Sequence, residues 1–278
     1  MRIAIFALAS PRKALSPIFS EVVRLLREWG AEVDILHPAE QLLDVATVGV
    51  EYDLYILKSK TELTLSIAGI LHAAGAAILN PYPVSATLRN KITTFQMLQA
   101  AGVPSPQTWV ALRADDLAPL LREGPLVVKP YRGSGGEGVR VVWDAEELDN
   151  FSGEEEPMFA QRYHKPDGLD LKMYCIEGQV FGVQRVWPAR TYAEKLGEPF
   201  TVPPELRDIA LRCGEVFGID LYGLDIIESL GRPYVVDVSS FPGFKGVPDA
   251  ALRLADYIFW AAEHAAGEQQ SPRRKVGT

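Results

Sequence analysis

Two carboxylates near the C-terminus have the spacing of a metal site. Asp237 and Ser239 are two residues apart in the strand-like run VVDVSS, so both side chains point to the same face. If the preceding turn centres near Gly231, Asp225 lies opposite Asp237. Facing carboxylates repel unless a positive charge lies between them, and Mg²⁺ prefers oxygen ligands of this kind. The alternative is an exposed pair of acids separated by water.

A hairpin earlier in the chain carries two cations. With a turn centred near Gly178, Lys172 falls opposite Arg185, and facing cations favour an anion such as phosphate between them. Alternatively Asp170, two residues from Lys172 on the same strand face, neutralises the lysine. The spacing therefore predicts either an anion site or a local ion pair.

A lysine and a glycine-rich loop indicate a nucleotide phosphate site. Lys129 ends the apolar strand LVVK, where an ammonium group needs a partner, and the loop GSGGEG follows before the next strand. Exposed N–H groups of such a loop can cradle phosphate. The loop lacks the Gly-Lys-Ser/Thr ending of a Walker loop and leads into a strand, which also excludes a Rossmann fingerprint.

The first part of the chain reads as a parallel α/β unit. Short apolar runs occur at residues 3–8, 32–36, 54–57 and 76–79. They alternate with helical spacing, which is typical of a parallel sheet. Ligands bind beyond the carboxyl ends of such strands, where Arg12, Lys13, Lys58 and Lys60 follow. These cations either meet an anionic substrate or are solvated on loops.

After Asn80 the pattern changes to short strands and helices of α+β type. One helix is predicted from Ser85, as its N-cap, to residue 100, with Lys91 early in it. Two hairpins follow, separated by an irregular segment at residues 187–204, and then a terminal helix. The predicted divisions are an α/β domain at 1–83, a small lobe at 84–164, a second lobe at 165–266 and a disordered tail at 267–278.

Composition excludes several classes of function. The 278 residues carry a net charge of −8, which argues against general binding of nucleic acid or anionic membranes. The N-terminal apolar run is much shorter than the ~20 residues of a membrane span. Cys175 and Cys213 fall in strand-like and helix-like runs, so we expect reduced, buried thiols. We therefore expect a cytoplasmic protein without nucleic-acid or membrane partners.

Six segments in a fixed order resemble the ATP-grasp superfamily. They are LRNKITTFQMLQAAGVPSP, PLVVKPYRGSGGEGV, AQRYH, DLKMYCIEG with VQR, YGLDIIE and VVDVSSFPGF. The resemblance covers about residues 3–262, counting the N-terminal α/β domain that usually precedes the ATP-grasp core. It implies an ATP-grasp fold, mixed α/β and α+β, that binds ATP and Mg²⁺.

The resemblance assigns roles to residues of the small lobe. Lys91 and Lys129 would contact the ATP phosphates. The glycine loop around Ser134, Gly135 and Gly136 would fold over those phosphates. The same assignment makes this loop a flexible lid.

It also assigns the adenine and metal sites. The hinge between the lobes would consist of Gln161, Arg162, Tyr163 and His164. Backbone groups of Arg162 and Tyr163 would read adenine. Asp225 and Asp237 would hold Mg²⁺, with Ser239 at the position where the family usually has Asn.

The reaction is less sharply defined by the resemblance. The core is similar to glutamate ligases that modify ribosomal protein tails and small metabolites. This similarity implies a carboxylate–amine ligase that acts through an acyl phosphate. Lys172 and Arg185 would be its catalytic cations. The ending GLDIIESLGRPYVVDVSSFPGFKGVPDA is instead similar to inositol trisphosphate kinases, so a kinase of a small polyol phosphate is the alternative. Ser239 motivates a third hypothesis, nucleotide binding without catalysis. The expected acceptor is a small molecule or peptide carrying carboxylate or phosphate.

Overall fold

The structure, a computed structural model, describes residues 1–7, 15–40, 42–133, 136–148, 156–186 and 189–270. Four residues to which the sequence assigns a function lie outside these ranges, namely Arg12, Lys13, Ser134 and Gly135. Residues 271–278, most of the predicted tail, lie outside them as well. Within the described ranges the strands form three sheets.

The first sheet is parallel, as the alternating pattern predicts. Its elements are β1 (Arg2–Phe6), α1 (Pro17–Glu28), β2 (Glu32–Leu36), β3 (Leu54–Leu57), α2 (Glu62–Ala73) and β4 (Ile78–Leu79). The order β2-β1-β3-β4 places β1 and β3 in the centre. Both strands are almost continuously buried because central strands of a parallel sheet are covered on two faces.

The single helix predicted from Ser85 is two helices. α3 (Tyr82–Arg89) ends at Asn90, whose backbone is extended, and α4 (Lys91–Ala100) begins there. The Asn90 side chain accepts hydrogen bonds from N–H groups in the first turn of α4, so it is the N-cap. Ser85 is buried inside α3 and caps nothing. The break makes Lys91 the first residue of α4 and fixes the direction in which its side chain leaves the helix.

The second sheet is antiparallel, with the order β5-β8-β6-β7. Its elements are β5 (Thr108–Ala111), α5 (Ala114–Leu117), β6 (Leu126–Pro130), β7 (Arg140–Val142), α6 (Ala145–Leu148) and β8 (Met158–Arg162). The inner face packs against α5 and α6 through a core that includes Leu117, Leu126, Val128 and Leu148. Side chains alternate along a strand, so Lys129 points to the opposite face.

The third sheet is antiparallel, with the order β11-β10-β9-β12-β13. Its elements are β9 (Asp170–Ile176), β10 (Gln179–Arg185), α7 (Tyr192–Leu196), β11 (Glu198–Phe200), α8 (Pro204–Phe217), β12 (Leu221–Ser229) and β13 (Arg232–Ser239). The segment predicted to be irregular thus contains α7 and β11. α7 begins with a capping box between Thr191 and Glu194, a Thr-x-x-Glu signal that is legible in the sequence.

The terminal helix, α9 (Ala250–Gln270), is longer than predicted, because it continues past residue 267, where the tail was expected to start. Its buried side chains include Leu254, Ile258 and Ala262, which pack into the core beneath the first sheet. In the described ranges no helix is both long and apolar enough to cross a membrane.

The first and third sheets share one hydrophobic core. Ile3 and Ile5 of β1 cluster with Tyr174 and Ile176 of β9 and with Ile258 of α9. The other face of the third sheet packs against α8 and α4 in a second core. The third sheet therefore has apolar side chains on both faces, and the charged side chains of Asp170, Lys172 and Asp225 lie on the face that it turns towards the first sheet.

A buried amide fixes the junction between these two sheets. Asn80 follows β4 directly, and its Nδ2 donates to the carbonyl oxygens of Leu221 and Ser240. The Asn80 carbonyl in turn accepts a hydrogen bond from Ser85 Oγ at 3.3 Å. Because buried polar groups need partners, this network orients the start of β12 and the end of β13 relative to the N-terminal sheet.

Replacing the cap of α4 is expected to destabilise the protein. Asn90→Ala removes the acceptor for the first-turn N–H groups and should lower the free energy of unfolding by about 1 kcal/mol, whereas Asn90→Ser, which retains a capping oxygen, should lower it by less. Urea denaturation of the three proteins measures the difference. Equal losses in both variants would show that the side chain does not stabilise α4 as a cap.

Candidate functional site

The facing acids of the second hairpin are confirmed in the structure. Asp225 of β12 pairs with Asp237 of β13, and both side chains are partly exposed. The turn between the strands is the two-residue Leu230–Gly231, with positive φ at both residues. That turn alone would place Val236 opposite Asp225. A β-bulge between Asp225 and Ile226 shifts the register by one residue and brings the carboxylates together.

The bulge also supplies a hydrogen-bond acceptor for a buried lysine. Lys129 Nζ donates to the carbonyl oxygen of Val236 at 3.1 Å and to Gln161 Oε1 at 2.8 Å. Burial, with a smaller contribution from Lys91, lowers the pKa of Lys129 to about 8, although Asp237 opposes the shift. Lys129 therefore bridges the second and third sheets while remaining short of anionic partners.

Each of the facing carboxylates has its own ammonium group. Lys91 Nζ lies 3.2 Å from Asp237 Oδ1 and donates to the carbonyl of Gly133 at 2.9 Å. Lys172 Nζ donates to Asp225 Oδ1. The carboxylate repulsion that suggested a metal is therefore relieved by lysines from α4 and β9. The same lysines stand where phosphate oxygens approaching the acids would be neutralised.

The prediction that Lys172 lies opposite Arg185 across the first hairpin is wrong. The turn is the two-residue Glu177–Gly178, with positive φ at both residues, so Lys172 pairs with Val183 and Arg185 pairs with Asp170. Arg185 Nη2 lies 3.7 Å from Asp170 Oδ2. The ion-pair alternative holds only in part, because Asp170 forms its ion pair with Arg185, whereas Lys172 pairs with Asp225 and acts on Asp170 at longer range.

Arg185 nevertheless belongs to the same surface as the acids. Asp170, Lys172 and Asp225 occupy matching positions on β9 and β12, and Arg185 lies beside them on β10. Within the described ranges the buried Arg185 Nε has no hydrogen-bond partner. Burial raises the pKa of Asp170 to about 6, with Asp225 contributing, so this end of the surface holds two closely spaced acids and two cations.

The residues present suit a hard metal ion. Asp225, Asp237 and Ser239 offer two carboxylates and a hydroxyl on one face, since Ser239 pairs with Gly223 beside the acid pair. In the described part of the chain no cluster of three or more His, Cys, Asp or Glu side chains forms a closed metal cage. The donor set therefore fits Mg²⁺, which usually takes one or two carboxylates and completes its shell with water and phosphate oxygens.

The backbone N–H groups of the hinge form hydrogen bonds within the fold. The N–H of Arg162 donates to Gln107 O at 2.9 Å, and the N–H of Tyr163 donates to Pro125 O at 3.0 Å. Both donors are therefore occupied within the fold, and the predicted contact of this backbone with adenine is left to its carbonyl groups. Proline has no N–H, so Pro125 cannot return a hydrogen bond to the Tyr163 carbonyl. The Tyr163 carbonyl is therefore the hydrogen-bond acceptor that the hinge offers.

The two remaining hinge side chains have structural partners. Gln161 is 1% exposed and, besides accepting from Lys129, donates to Thr108 Oγ1 at 3.2 Å. The ring of His164 stacks on Tyr234 with centroids 4.0 Å apart, and burial lowers its pKa. Gln161 thus positions Lys129, and His164 joins the hinge to β13.

An apolar wall beside the hinge was missed by the sequence reasoning. Val127 shares a strand face with Lys129 and pairs with Val141, and Trp143 continues that face. Val141 and Trp143 are exposed, and the Trp143 ring lies 5.8 Å from Tyr163. A flat aromatic ligand fits such a wall. The alternation of VRVVW after the glycine loop is the signal that could have revealed it.

The glycine loop is described only in part. Gly136 has a φ of +78° and lies in a turn. Gly138 has a φ of +72°, and a Cβ there would come within 2.8 Å of Pro130, so the loop packs closely on the end of β6. Ser134 and Gly135 lie outside the described residues.

Of the cations after β3, Lys58 has a structural role. Its Nζ donates to the carbonyls of Phe241 and Pro242 and lies 5.1 Å from the ring centres of Phe19 and Phe241. Burial lowers its pKa to about 7, with further contributions from Lys60 and Lys245. Lys58 therefore anchors the segment after β13. This corrects both alternatives that the sequence offered for it, contact with an anionic substrate and solvation on a loop.

Residues 88–258 match the family described as the RimK-like ATP-grasp domain, which is more than half of the chain. The chain belongs to the RimK-like ATP-grasp family. This confirms the predicted superfamily, the mixed α/β and α+β ATP-grasp fold and the assignment to ATP-grasp ligases, a family that uses ATP.

Two relatives and one solved structure show how far the similarity extends. A probable alpha-L-glutamate ligase of Thioalkalivibrio sulfidiphilus is 27% identical over 264 residues, covering 84% of this chain and 88% of the relative. A ribosomal protein bS6–L-glutamate ligase of Salmonella paratyphi B is 27% identical over 215 residues, covering 69% and 71%. The crystal structure of a RimK domain ATP-grasp protein from Sphaerobacter thermophilus has a TM-score of 0.76 at 20% identity, covering 92% and 99%.

Removing the buried ammonium of Lys58 is expected to change how stability depends on pH. Lysine in the unfolded chain titrates near pH ~10.4, whereas Lys58 titrates near 7 in the folded chain, so the unfolded state binds more protons between these values. The unfolding free energy of the wild type should therefore rise with pH relative to Lys58→Met, by up to about 1.4 kcal/mol per unit.

Urea denaturation between about pH 7 and about pH 10 measures this difference. Lys165→Met is the matched control, because Lys165 is exposed and its replacement should leave the pH dependence of the wild type unchanged. A gap between wild type and Lys58→Met that stays constant over this range would contradict the assignment.

Proposed function

We propose that this protein is an ATP- and Mg²⁺-dependent carboxylate–amine ligase that works through an acyl phosphate and releases ADP and phosphate. The observation that carries the proposal is the convergence of Lys91, Lys129 and Lys172 on the facing acids Asp225 and Asp237. Three ammonium groups and two carboxylates on one surface suit a metal-bound polyphosphate and a carboxylate beside it.

The nucleotide would lie between the second and third sheets. Its base would lie against the wall of Val127, Val141 and Trp143, with the Tyr163 carbonyl as acceptor for the amino group of adenine. Its phosphates would point towards Lys91 and Lys129 and under the glycine loop, including Ser134, Gly135 and Gly136. Asp225, Asp237 and Ser239 would hold Mg²⁺, which neutralises charge on the phosphate oxygens.

The reaction then takes two displacements. An oxygen of the acceptor carboxylate attacks the γ-phosphorus, the bond to the β-phosphate oxygen breaks, and ADP leaves. The nitrogen of an amine next attacks the acyl carbon, the carbon–oxygen bond to phosphate breaks, and the amine loses a proton as the amide forms. Lys129, Lys172 and Arg185 would stabilise the charge on the transferring phosphoryl group and on the departing phosphate.

The chain itself supplies no covalent nucleophile in this scheme. Cys175 and Cys213 are buried, and burial raises the pKa of each thiol, that of Cys213 to about 12. Both are therefore inert thiols in the folded chain. Catalysis rests on positioning and on charge.

The acceptor is proposed to be a small molecule or peptide with a carboxylate. The two relatives carry the names of glutamate ligases, and the name of one gives a ribosomal protein as its acceptor. These names favour ligation over phosphoryl transfer to a hydroxyl. The surplus of cations in the site favours an acidic acceptor.

Trapping the acyl phosphate tests the reaction. With Mg·ATP, L-glutamate or an acidic peptide, and hydroxylamine, we expect formation of a hydroxamate together with equal amounts of ADP and free phosphate. Product mass and phosphate release are the measurements. ADP formation with the phosphate retained on the product would instead identify a kinase and overturn the proposal.

Two variants test the proposed nucleotide and metal sites. Lys129→Met and Asp225→Asn should each weaken Mg·ATP at least about tenfold, or about 1.4 kcal/mol, because each removes a charge that contacts the phosphates or the metal. Thermal shift with increasing Mg·ATP gives the affinities. Lys165→Met, which removes an exposed charge, is the control, and unchanged affinities in both site variants would refute the assignment.

A further inference from the structure

Lys129 is the lysine of the site that two neutral oxygens hold. Lys91 and Lys172 each form an ion pair with a carboxylate. Lys129 is 9% exposed, and its Nζ donates instead to Gln161 Oε1 at 2.8 Å and to the carbonyl oxygen of Val236 at 3.1 Å. In the described part of the chain it takes part in no ion pair. A buried ammonium group without a contacting counterion is costly, so its charge favours binding of an anion.

Strand alternation places Gln161 beside this lysine. Gln161 of β8 pairs with Val127 of β6, and Lys129 follows Val127 by two residues on the same strand face. Gln161 and Lys129 are therefore diagonal cross-strand neighbours, within reach of long side chains. On its other side Gln161 pairs with Thr108 of β5. Only 1% of Gln161 is exposed, so both ends of its amide need partners inside the protein.

The orientation of the Gln161 amide is set from both ends. An ammonium group can only donate hydrogen bonds, so Lys129 requires the oxygen of the amide. At the other end, Nε2 of Gln161 donates to Thr108 Oγ1 at 3.2 Å. The Thr108 hydroxyl gives its only hydrogen to the carbonyl oxygen of Pro106 at 2.9 Å, so its own oxygen can only accept. A flipped amide would place donor against donor and acceptor against acceptor.

A side chain from α4 completes this network. Nε2 of Gln99 donates to Thr108 Oγ1 at 3.3 Å and to the Pro106 carbonyl at 3.0 Å. The Thr108 hydroxyl, with one hydrogen and two lone pairs, is thereby fully used. Fully satisfied polar networks hold their members in one geometry. Thr108 therefore fixes Gln161 from the edge strand of the second sheet, and Gln161 fixes Lys129.

An amide meets requirements here that a carboxylate of the same length does not. Gln161→Glu would keep an acceptor for Lys129, but it would neutralise the ammonium charge. It would also remove the hydrogen that the Thr108 oxygen accepts. Asp225 and Asp237 act on Lys129 without forming an ion pair with it. The amide thus holds the lysine in place and leaves its charge available.

We propose that Thr108 and Gln161 are positioning residues that present Lys129, with its charge uncompensated, to the phosphates of ATP. The inference rests on the proposed function, since it takes Lys129 to contact those phosphates. Gln161 then acts through Lys129, and not as a hinge residue that faces the nucleotide. Thr108 contributes to nucleotide binding although its strand, β5, lies two strands away from that of Lys129.

Gln161→Glu distinguishes the need for a neutral acceptor from the need for any acceptor. The wild type and the variant are titrated with Mg·ATP by isothermal titration calorimetry, in the absence of an acceptor substrate. Gln161→Glu should weaken Mg·ATP about tenfold or more, because the lysine becomes paired within the protein. Gln96→Glu is the matched control, since it adds the same charge at an exposed position and should leave the affinity unchanged. Circular dichroism verifies that each ligand-free chain is folded.

Two replacements of Thr108 test the network without changing any charge, and they decide alone if Gln161→Glu does not fold. Thr108→Val has nearly the same shape but no acceptor for Gln161, and it should weaken Mg·ATP about threefold to tenfold. Thr108→Ser keeps the hydroxyl and should restore nearly all of the affinity. Because the loss acts through Lys129, Thr108→Val should cause no further loss in a Lys129→Met background.

Three results would overturn the inference. These are wild-type affinity in Gln161→Glu, equal affinities in Thr108→Val and Thr108→Ser, and losses that add in the double variant. The proposed nucleotide site fails separately, through wild-type affinity in Lys129→Met alone. The proposed reaction fails through absence of hydroxamate, and in that case the titrations with Mg·ATP still decide whether Thr108 and Gln161 present Lys129.

Discussion

Two carboxylates held face to face across β12 and β13 impose the constraint to which the rest of the site responds. Asp225 and Asp237 repel each other because they are direct cross-strand neighbours, so the fold must bring positive charge to them. Lys172 arrives from the neighbouring strand, and Lys91 from the first position of α4. Each comes from a different structural unit. The position of these units around the acids is therefore an electrostatic requirement as well as a matter of packing.

The sequence predicts much of this arrangement because strand alternation and glycine-containing turns are local signals. The parallel first sheet, both hairpins and the pairing of Asp225 with Asp237 follow from such signals. The predicted pairing of the two acids is confirmed, but the position of the turn explains it only in part. The two-residue turn alone would pair Asp225 with Val236, and the bulge moves the partner of Asp225 to Asp237. No feature of the sequence alone reveals that the turn and the bulge compensate each other. The roles of the individual site residues stay predictions.

Where the sequence reasoning failed, a choice between similar local structures decided the outcome. A difference of two residues in the register of the first hairpin places Arg185 opposite Asp170 instead of Lys172. Asn90 can be accommodated within a helix or can cap one, and here it caps. The partners of Lys58 lie on a chain segment far away in sequence, so only the folded structure shows that this lysine is anchored.

The core shared by the first and third sheets has a mechanical consequence. Ile5, Tyr174 and Ile258 belong to one continuous apolar cluster, so these two sheets must move as one rigid body. The second sheet has a core of its own and reaches that body through polar bridges such as Lys129 to Val236 and through a few apolar contacts such as Phe159. Hydrogen bonds of this kind exchange readily with water, whereas opening a close-packed core is costly. Displacing the second sheet relative to this body therefore costs less free energy than separating the first sheet from the third.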